Sequence, residues 1–261
     1  STTLALMIAK GEVPMVDFAI FADTRGEPDY IYKHLKWLKD KVPFEILVTS
    51  KGDLTDNCLR ALSGEKKTAD GLSLSGSAIP FYITKEDGKK GMGIRQCTVS
   101  YKIETIMKVV RKKLGYEKGR RVKKDVNVEM LLGISQDEVY RVKKSRYHYV
   151  THHYPLIDKA LTRKNCLEWM EKFDYPIPQR SACYYCPYHS DNYWLWLRST
   201  HKEEFNKAVE FDKQIRVRNK ILRGTPYLHK SRKPLGEINF DEKENEQLDL
   251  FNEECEGMCG V

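Results

Sequence analysis

The sequence predicts an α/β fold with a parallel sheet. Two apolar runs, residues 16–22 and 44–48, have the length of buried strands, and a helical pattern lies between them. A strand, a helix and a second strand within about 33 residues form a βαβ unit, whose two strands run parallel. A further buried strand is predicted at residues 128–134.

The composition is that of a globular protein rather than a disordered or fibrous one, because 41% of the 261 residues are hydrophobic and 31% are charged. The 45 Lys and Arg exceed the 37 Asp and Glu, which gives a net charge of +8. This excess suits an anionic partner, either a phosphorylated small molecule or a nucleic acid, or else a solvated basic surface. No apolar run of roughly 18 residues and no signal peptide are visible, so we expect a cytoplasmic protein without a membrane partner.

The first 114 residues are predicted to alternate between helices and strands. Thr2 or Thr3 begins a helix that Gly11 ends, and Pro28 begins a second helix that runs to about Lys41. The other predicted segments are a short helix at 52–64, a long and partly mobile loop at 64–93, and an amphipathic helix at 100–114.

The character of the chain changes after residue 150. Residues 117–125 are predicted to form a basic loop and residues 154–157 a short extended segment, and Thr162 is predicted to begin a helix. Further helices are predicted at 190–199 and 202–219. We therefore expect an α/β region at 1–150, a helical region at 151–235 and an acidic tail at 236–261.

Polar residues that follow the predicted strands are candidate ligand-binding groups. Asp23 and Thr24 end the first strand, where open α/β sheets bind ligands, although capping of the next helix explains them equally well. Ser135 and Glu138 match a capping box, which needs no ligand. Arg141 and the lysines after it either bind phosphate or belong to a solvated face.

Seven cysteines cannot all pair within the chain, and close pairs without an export signal indicate metal or redox sites. Cys183 and Cys186 are separated by two residues, which lets both sulfurs bind one zinc ion or one iron–sulfur cluster. A redox dithiol is the remaining interpretation of this pair. The other ligands would then come from elsewhere, namely from Cys97, Cys255 or Cys259.

Three cysteines outside this pair are also candidates. Cys97 lies beside Arg95 at the start of a predicted helix, where a thiolate is stabilised, so it is a nucleophile, a metal ligand or a buried thiol. Cys255 and Cys259 lie near the end of the chain and are interpreted as redox thiols or as metal ligands.

Seven short segments, taken in order, resemble the phosphoadenosine phosphosulfate (PAPS) reductase family, especially its phage and prophage members. This family belongs to the PP-loop, or adenine-nucleotide α-hydrolase-like, superfamily. The segments are residues 1–7, 19–24, 95–103, 133–141, 154–157, 181–187 and 252–261.

The resemblance implies a Rossmann-like (HUP-type) core that binds ATP, or an adenylyl sulfate, with Mg²⁺ over its strand ends. Ser1 and Thr2 match only the end of the family's phosphate-binding PP-loop, so its first strand and most of that loop are missing from this chain. The residues implied to bind the nucleotide are Ser1, Thr2, Asp23, Thr24, Arg95, Lys102, Gly133, Ser135 and Arg141.

The resemblance also implies roles for the cysteines. The implied ligands of a [4Fe–4S] cluster, or alternatively of zinc, are Cys97, Cys183, Cys186 and Cys259. Gln96 stands where cluster-bearing relatives carry a second cysteine. Cys255 and Cys259 resemble the reactive tail of the reductases, so the implied catalytic residues are Cys97, Cys255 and Cys259.

Three functions follow as alternatives. The first is an ATP-dependent sulfurtransferase that adenylates a nucleotide or nucleic acid and transfers to it sulfur from the iron–sulfur cluster or from a cysteine persulfide, with a donor protein as the source of sulfur. The second is an adenylyl-sulfate (PAPS/APS) reductase that uses a tail thiol and an electron donor protein. The third is a zinc-stabilised binding module without catalysis; a homo-oligomer is compatible with all three.

Overall fold

The fold combines helices with short parallel and antiparallel strands. A computed structural model describes residues 1–67, 78–117 and 119–240. The elements in chain order are α1 (Thr2–Ala9), β1 (Phe18–Asp23), α2 (Asp29–Lys39), β2 (Glu45–Ser50), α3 (Leu54–Leu62), β3 (Tyr82–Thr84), β4 (Lys90–Met92), α4 (Glu104–Lys113), β5 (Val128–Leu131), β6 (Val150–His153), α5 (Pro155–Asp158), α6 (Arg163–Lys172), α7 (Asp191–Thr200), α8 (Lys202–Val217) and β7 (Thr225–Tyr227). A π-helical turn, Thr98–Ile103, leads into α4, and 3₁₀ turns occupy Gln136–Arg141 and Leu235–Glu237.

Two parallel strand pairs confirm the predicted mixed α/β class. β1 pairs with β2, with Ala19 opposite Ile46, and β5 pairs with β6, with Met130 opposite His152. The predicted βαβ unit is therefore present as β1, α2 and β2. Its helix begins after Pro28, whose fixed φ suits the entry to a helix.

Both strand pairs lie between the same two helical layers. Ala19 of β1 and Leu131 of β5 pack on one apolar cluster, which contains Leu4 of α1 and Cys166 of α6. Ile20 of β1 and Met130 of β5 pack on a second cluster, which contains Met107 and Val110 of α4. Because adjacent residues of a strand point to opposite faces, helices cover both faces of this strand layer.

A small antiparallel sheet was not anticipated from the sequence. Tyr82 of β3 lies opposite Met92 of β4 and opposite Tyr227 of β7. β3 and β4 therefore occupy part of the segment predicted to be a loop at 64–93, and residues 68–77 of that segment lie outside the described residues. Three-residue strands that pair across about 145 residues leave no periodic pattern in the sequence.

The largest apolar cluster joins α3, the cysteine-rich segment, α7 and α8. Trp194, Leu197 and Ile215 are fully buried in it, next to Leu54 of α3. The cluster also contains Leu235 and Phe240, which lie at the end of the described chain. The predicted helices at 190–199 and 202–219 are confirmed as α7 and α8; the proposed boundaries at 150 and 235 stay predictions.

Two local predictions are wrong. Residues 154–157 are not extended, because Pro155 stands at the first position of the helical turn α5, where its missing N–H does no harm. Ser135 and Glu138 do not form a capping box: the Ser135 side chain makes no cap hydrogen bond, and the Glu138 carboxylate pairs with Arg141 instead. Thr162, in contrast, forms a complete capping box with Asn165 at the start of α6.

Within the described residues, no helix combines the length and the apolar character that crossing a membrane requires.

Candidate functional site

A cavity of about 30 Å³ lies beyond the carboxyl end of β1. Three cysteines, Cys97, Cys183 and Cys186, contribute to its lining, together with the side chains of Lys102 and Arg95. The rest of its lining is mainly apolar or aromatic, and consists of Thr24, Leu54, Ile79, Pro80, Thr98, Tyr185, Pro187 and Tyr188. Segments that are distant in sequence thus converge where an open α/β sheet binds its ligands.

The turn after β1 is held in an unusual backbone conformation. Arg25 has a φ of 58°, a left-handed value that is uncommon for residues other than glycine. The Arg25 amide donates a hydrogen bond of 2.7 Å to Asp23 Oδ1, which also accepts one of 2.8 Å from the Tyr32 hydroxyl. The predicted ligand residue Asp23 therefore organises the turn, which places Thr24 in the cavity wall.

Gly26 lets the cysteine-rich segment approach this turn. A Cβ atom at residue 26 would lie 2.2 Å from Tyr185 Cε1, so only glycine leaves room for that ring. The Tyr184 amide donates to the Gly26 carbonyl at 2.9 Å, and the Cys183 sulfur lies 3.1 Å from Thr24 Oγ1. These contacts fix the Cys183–Cys186 segment against the end of β1.

The Cys183–Cys186 segment is a tight turn. The Cys186 amide donates to the Cys183 carbonyl at 3.0 Å, and the His189 ring lies 2.8 Å from the same carbonyl oxygen through Nε2. Because His189 is buried and bonded in this way, it supports the turn as a structural residue. Pro187 follows the second cysteine and also lines the cavity.

The Cys183 thiol is protonated at neutral pH in this environment. Burial, and after it the Glu27 carboxylate, raise the pKa of this thiol to about 12, and the Lys102 ammonium opposes both effects. A group in this state is a poor free nucleophile, whereas a metal that replaces its proton makes it a ligand.

A buried ion pair beside Cys183 was not identified from the sequence. The Glu27 side chain is 1% exposed and lies 3.5 Å from Lys102 Nζ, which is 13% exposed. Ser181 Oγ donates a hydrogen bond of 3.1 Å to the same carboxylate. A lone glutamate after a turn carries no sequence signal for burial, and only its partner in space reveals this role.

Cys97 is held at the start of the π-helical turn that leads into α4. The amides of Gln96 and Cys97 both donate to the Ala78 carbonyl, at 3.1 Å and 2.8 Å. Behind Cys97 lies the buried thiol of Cys58 on α3, whose pKa is raised to about 12 by burial and then by Cys97. Cys58 was not predicted from the sequence, because an isolated cysteine on an apolar helix face resembles a core residue.

The described cysteines are candidate ligands by donor type alone. None of the five described cysteines forms a disulfide. No three His, Cys, Asp or Glu of the described residues converge tightly enough to hold one metal ion. Cys97, Cys183 and Cys186 line one cavity, so they are the thiols that a cluster or a metal ion would use together.

A second group of predicted residues gathers at the N-terminus of α1. A Cβ atom on Gly133 would lie 2.7 Å from Ser1 Cα, so β5 and α1 meet closely at their ends. Arg141 is 10% exposed and pairs with Glu138, but its Nε and Nη2 atoms have no hydrogen-bond partner among the described residues. Thr2 Oγ1 lies 3.1 Å from His34 Nε2. Open amide groups and a half-satisfied guanidinium are the groups that receive an anion.

The predicted site residues thus fall into two places. Those at the cavity are Thr24, Arg95, Cys97, Lys102, Cys183 and Cys186. The N-terminus of α1 is the place of the other group, which contains Ser1, Gly133 and Arg141. Ser135 is buried there, and Thr2 forms a hydrogen bond with His34. Cys255 and Cys259 lie outside the described residues.

A scan of protein-family models, a search of curated proteins and a search of solved structures each find no match to this chain. The geometry described above is therefore the basis on which a function is proposed.

Proposed function

We propose that the protein is a PAPS reductase-like PP-loop enzyme, an ATP-dependent sulfurtransferase that acts on a nucleotide or nucleic acid. The observation that carries this proposal is the convergence of Cys97, Cys183 and Cys186 with Lys102 and Arg95 on one cavity. Thiol donors for a cluster and cations for an anionic reactant are thereby present at the end of a parallel strand.

The proposed core is a Rossmann-like sheet in which one more strand lies between β1 and β5. Ala19 of β1 and Leu131 of β5 pack on one helical layer, and Ile20 of β1 and Met130 of β5 pack on the other. The two strand pairs therefore share both layers. Yet β1 and β5 belong to separate sheets among the described residues. One inserted strand would satisfy both free edges and unite the two pairs.

The nucleotide phosphates are proposed to bind at the N-terminus of α1, next to Gly133, Ser135 and Arg141. The positive end of a helix and the two unpaired nitrogens of Arg141 suit an anion, and the close approach of Gly133 leaves the backbone accessible. The adenosine would then lie toward Asp23 and Thr24, with Mg²⁺ on the phosphates.

A [4Fe–4S] cluster would be held by Cys97, Cys183 and Cys186. When bound through three thiolates, such a cluster has one iron open to bind sulfide. Zinc, which takes four donors in a structural site, is the alternative occupant of the same cysteines.

The chain's own residues have three tasks in the proposed reaction. The α1 end and Arg141 hold the phosphates in line for attack. Lys102, fixed by Glu27, keeps a positive charge beside the cavity, where anions form and leave. The apolar wall, which includes Leu54, Ile79 and Pro187, keeps water away from the reacting groups.

The proposed chemistry balances without an external oxidant or reductant. An acceptor oxygen attacks the α-phosphorus of ATP, and the bond to the β-phosphate breaks with release of pyrophosphate. Sulfur at the oxidation level of sulfide then attacks the adenylated carbon, and AMP leaves with the former acceptor oxygen. A protein that donates sulfide is the one further partner that this sequence of steps requires.

The test is to purify the protein without oxygen and to measure iron, zinc and acid-labile sulfide. We expect about four iron and four sulfide per chain, with broad absorbance in the visible range. Serine at Cys97, Cys183 or Cys186 should each lower the iron content severalfold. Cys166→Ser is the matched control, because Cys166 is buried in the α1–α6 cluster and should leave the iron content unchanged.

Two outcomes would overturn the proposal. About one zinc per chain and no iron would make the cysteines structural and favour a binding module. Sulfite release from an adenylyl sulfate, without ATP consumption and dependent on Cys255 or Cys259, would favour the reductase. Formation of AMP that depends on ATP, sulfide and an oligonucleotide acceptor is the result expected of the sulfurtransferase.

A further inference from the structure

The positive charge of the chain is concentrated in one segment. Residues 108–124 contain nine Lys or Arg and one acidic residue, Glu117, so their net charge equals the +8 of the whole chain. The acidic residues 241–261 carry a net charge of −7, and residues 1–107 and 125–240 together carry +7 over a far longer stretch of chain. Nine cations in seventeen residues is a far higher density of basic charge than the rest of the chain has, and such a cluster favours an anionic partner over a merely solvated surface.

The structure holds the described residues on both sides of position 118 in place. α4 ends at Lys113, and Gly115 turns the chain away with a φ of 78°. The Arg111 guanidinium donates to the carbonyls of Glu117 and Arg120, so Arg111 acts as an internal brace. Val122 is 2% exposed in the α4 cluster, and its carbonyl lies 3.2 Å from His148 Nε2.

The other basic side chains point outward from this braced backbone. Arg120, Arg121, Lys123 and Lys124 are exposed, and none of them has a carboxylate partner among the described residues. Lys108 and Lys112 on α4 are exposed in the same way. We call these six residues the basic surface. Fixed backbone with unpaired cations lowers the entropy lost when a polyanion binds.

We propose that the basic surface binds the phosphodiester backbone of a nucleic acid. Repeated cations along a short segment match the repeated phosphates of such a polymer. A bilayer is the less suitable polyanion, because peripheral membrane binding also uses exposed apolar side chains. Of the large hydrophobic side chains that are exposed in the described structure, none lies between residues 95 and 138.

This inference deepens the proposed function, on which it rests for the identity of the acceptor. α4 and the π-helical turn before it run from the cavity, which Thr98 and Lys102 line, to Lys113 at the basic surface. Sixteen helical residues span roughly 24 Å, so the two places lie about that far apart. A nucleic acid that occupies both must therefore extend over several nucleotides, and short oligomers should bind weakly.

The experiment measures fluorescence anisotropy of labelled uridine oligomers of about 5, 10 and 20 nucleotides, with matching DNA oligomers. The test variant reverses four charges, Arg120→Glu, Arg121→Glu, Lys123→Glu and Lys124→Glu. The control variant reverses four exposed charges elsewhere, Lys207→Glu, Lys213→Glu, Lys220→Glu and Arg223→Glu. Circular dichroism and thermal unfolding verify that both variants are folded.

We expect the test variant to bind the 20-nucleotide RNA at least about 30-fold more weakly. The slope of log affinity against log salt concentration should also become shallower, by the amount that corresponds to two to three lost phosphate contacts. The control should stay within about threefold of the wild type. Equal losses in both variants, no binding by the wild type at low salt, or binding of phosphatidylserine vesicles in place of oligomers would overturn the proposal. If the wild type binds the RNA and DNA oligomers with different affinities, the tighter ligand identifies the polymer.

Failure of this inference is distinguishable from failure of the proposed function. Binding is measured without ATP, sulfide or metal, so it does not depend on the reaction. Conversely, the iron content of the test variant should equal that of the wild type, because no residue of the basic surface lines the cavity.

Discussion

Replacement of Gly26 by alanine should destabilise the protein and loosen the cysteine-rich segment. The added Cβ would lie 2.2 Å from Tyr185 Cε1, 2.5 Å from its hydroxyl oxygen and 2.6 Å from Cζ. Real Cβ atoms essentially never approach within 3.0 Å, so either the turn after β1 or the ring must move.

The ring has little room to move. Tyr185 is 1% exposed, and its ring contacts those of Tyr184 and Phe211 at centroid distances of 4.9 Å and 5.3 Å. Overpacking of a core site of this kind costs about 2 kcal/mol of unfolding free energy. For a chain of this length, that corresponds to a melting temperature lower by roughly 4–8 °C.

The assay is urea unfolding of Gly26→Ala, Tyr185→Leu and the double variant. Leucine at 185 removes the three atoms that meet the new Cβ, so the two substitutions should couple by at least about 1 kcal/mol. Gly91→Ala is the control, because the nearest atom to a Cβ there is 3.7 Å away. An unfolding free energy of Gly26→Ala equal to that of the wild type, or strictly additive effects in the double variant, would refute the reasoning.

Three further predictions concern stability. Asp212 is 1% exposed and accepts hydrogen bonds from the amides of Leu228 and Leu235 at 2.8 Å and 2.9 Å. Asp212→Asn can satisfy only one of these amides, so it should lower the unfolding free energy by about 2–4 kcal/mol. Exposed Asp158→Asn is the control in the same urea series, and equal stability of the two variants would contradict the argument. Burial lowers the pKa of His229 below its ordinary 6.5, despite the opposing effect of Asp191, so the unfolded chain binds the proton more readily and stability should fall as the pH drops through about 6.5. Urea unfolding between about pH 7.5 and 5.5 should show a shallower decline in His229→Gln, and identical slopes for variant and wild type would disprove the assignment. Thr162→Ala removes the capping box of α6 and should cost about 1 kcal/mol by the same measurement, whereas Thr225→Ala at an exposed position of β7 should change little.

The sequence predicted the elements whose local pattern agrees with their surroundings. β1, α2 and β2 follow from apolar runs and a helix-starting proline, and α6 follows from the Thr162 cap. The strands β3, β4 and β7 could not be foreseen, because each has three residues and is stabilised only by its partners in space. The wrong capping box at Ser135 has a similar cause: Glu138 meets the competing cation Arg141, which local propensity ignores.

The candidate site was foreseen in part. That Cys97 and the Cys183–Cys186 pair lie on one cavity could not follow from spacing, because 86 residues separate them; it was expected from the order of motifs in a family resemblance. Glu27, Cys58 and His34 were missed, because isolated residues of these types carry no pattern. Their importance depends on neighbours that only folding supplies, namely Lys102, Cys97 and Thr2.

The left-handed backbone of Arg25 means that the arginine side chain is present at a cost in folding stability. A side chain at a φ of 58° costs roughly 1 kcal/mol relative to glycine, which adopts this conformation without strain. A protein selected for stability alone would favour glycine at this position. The chain instead carries a large, exposed cation in the turn that follows β1, and the stabilising change to glycine would remove it.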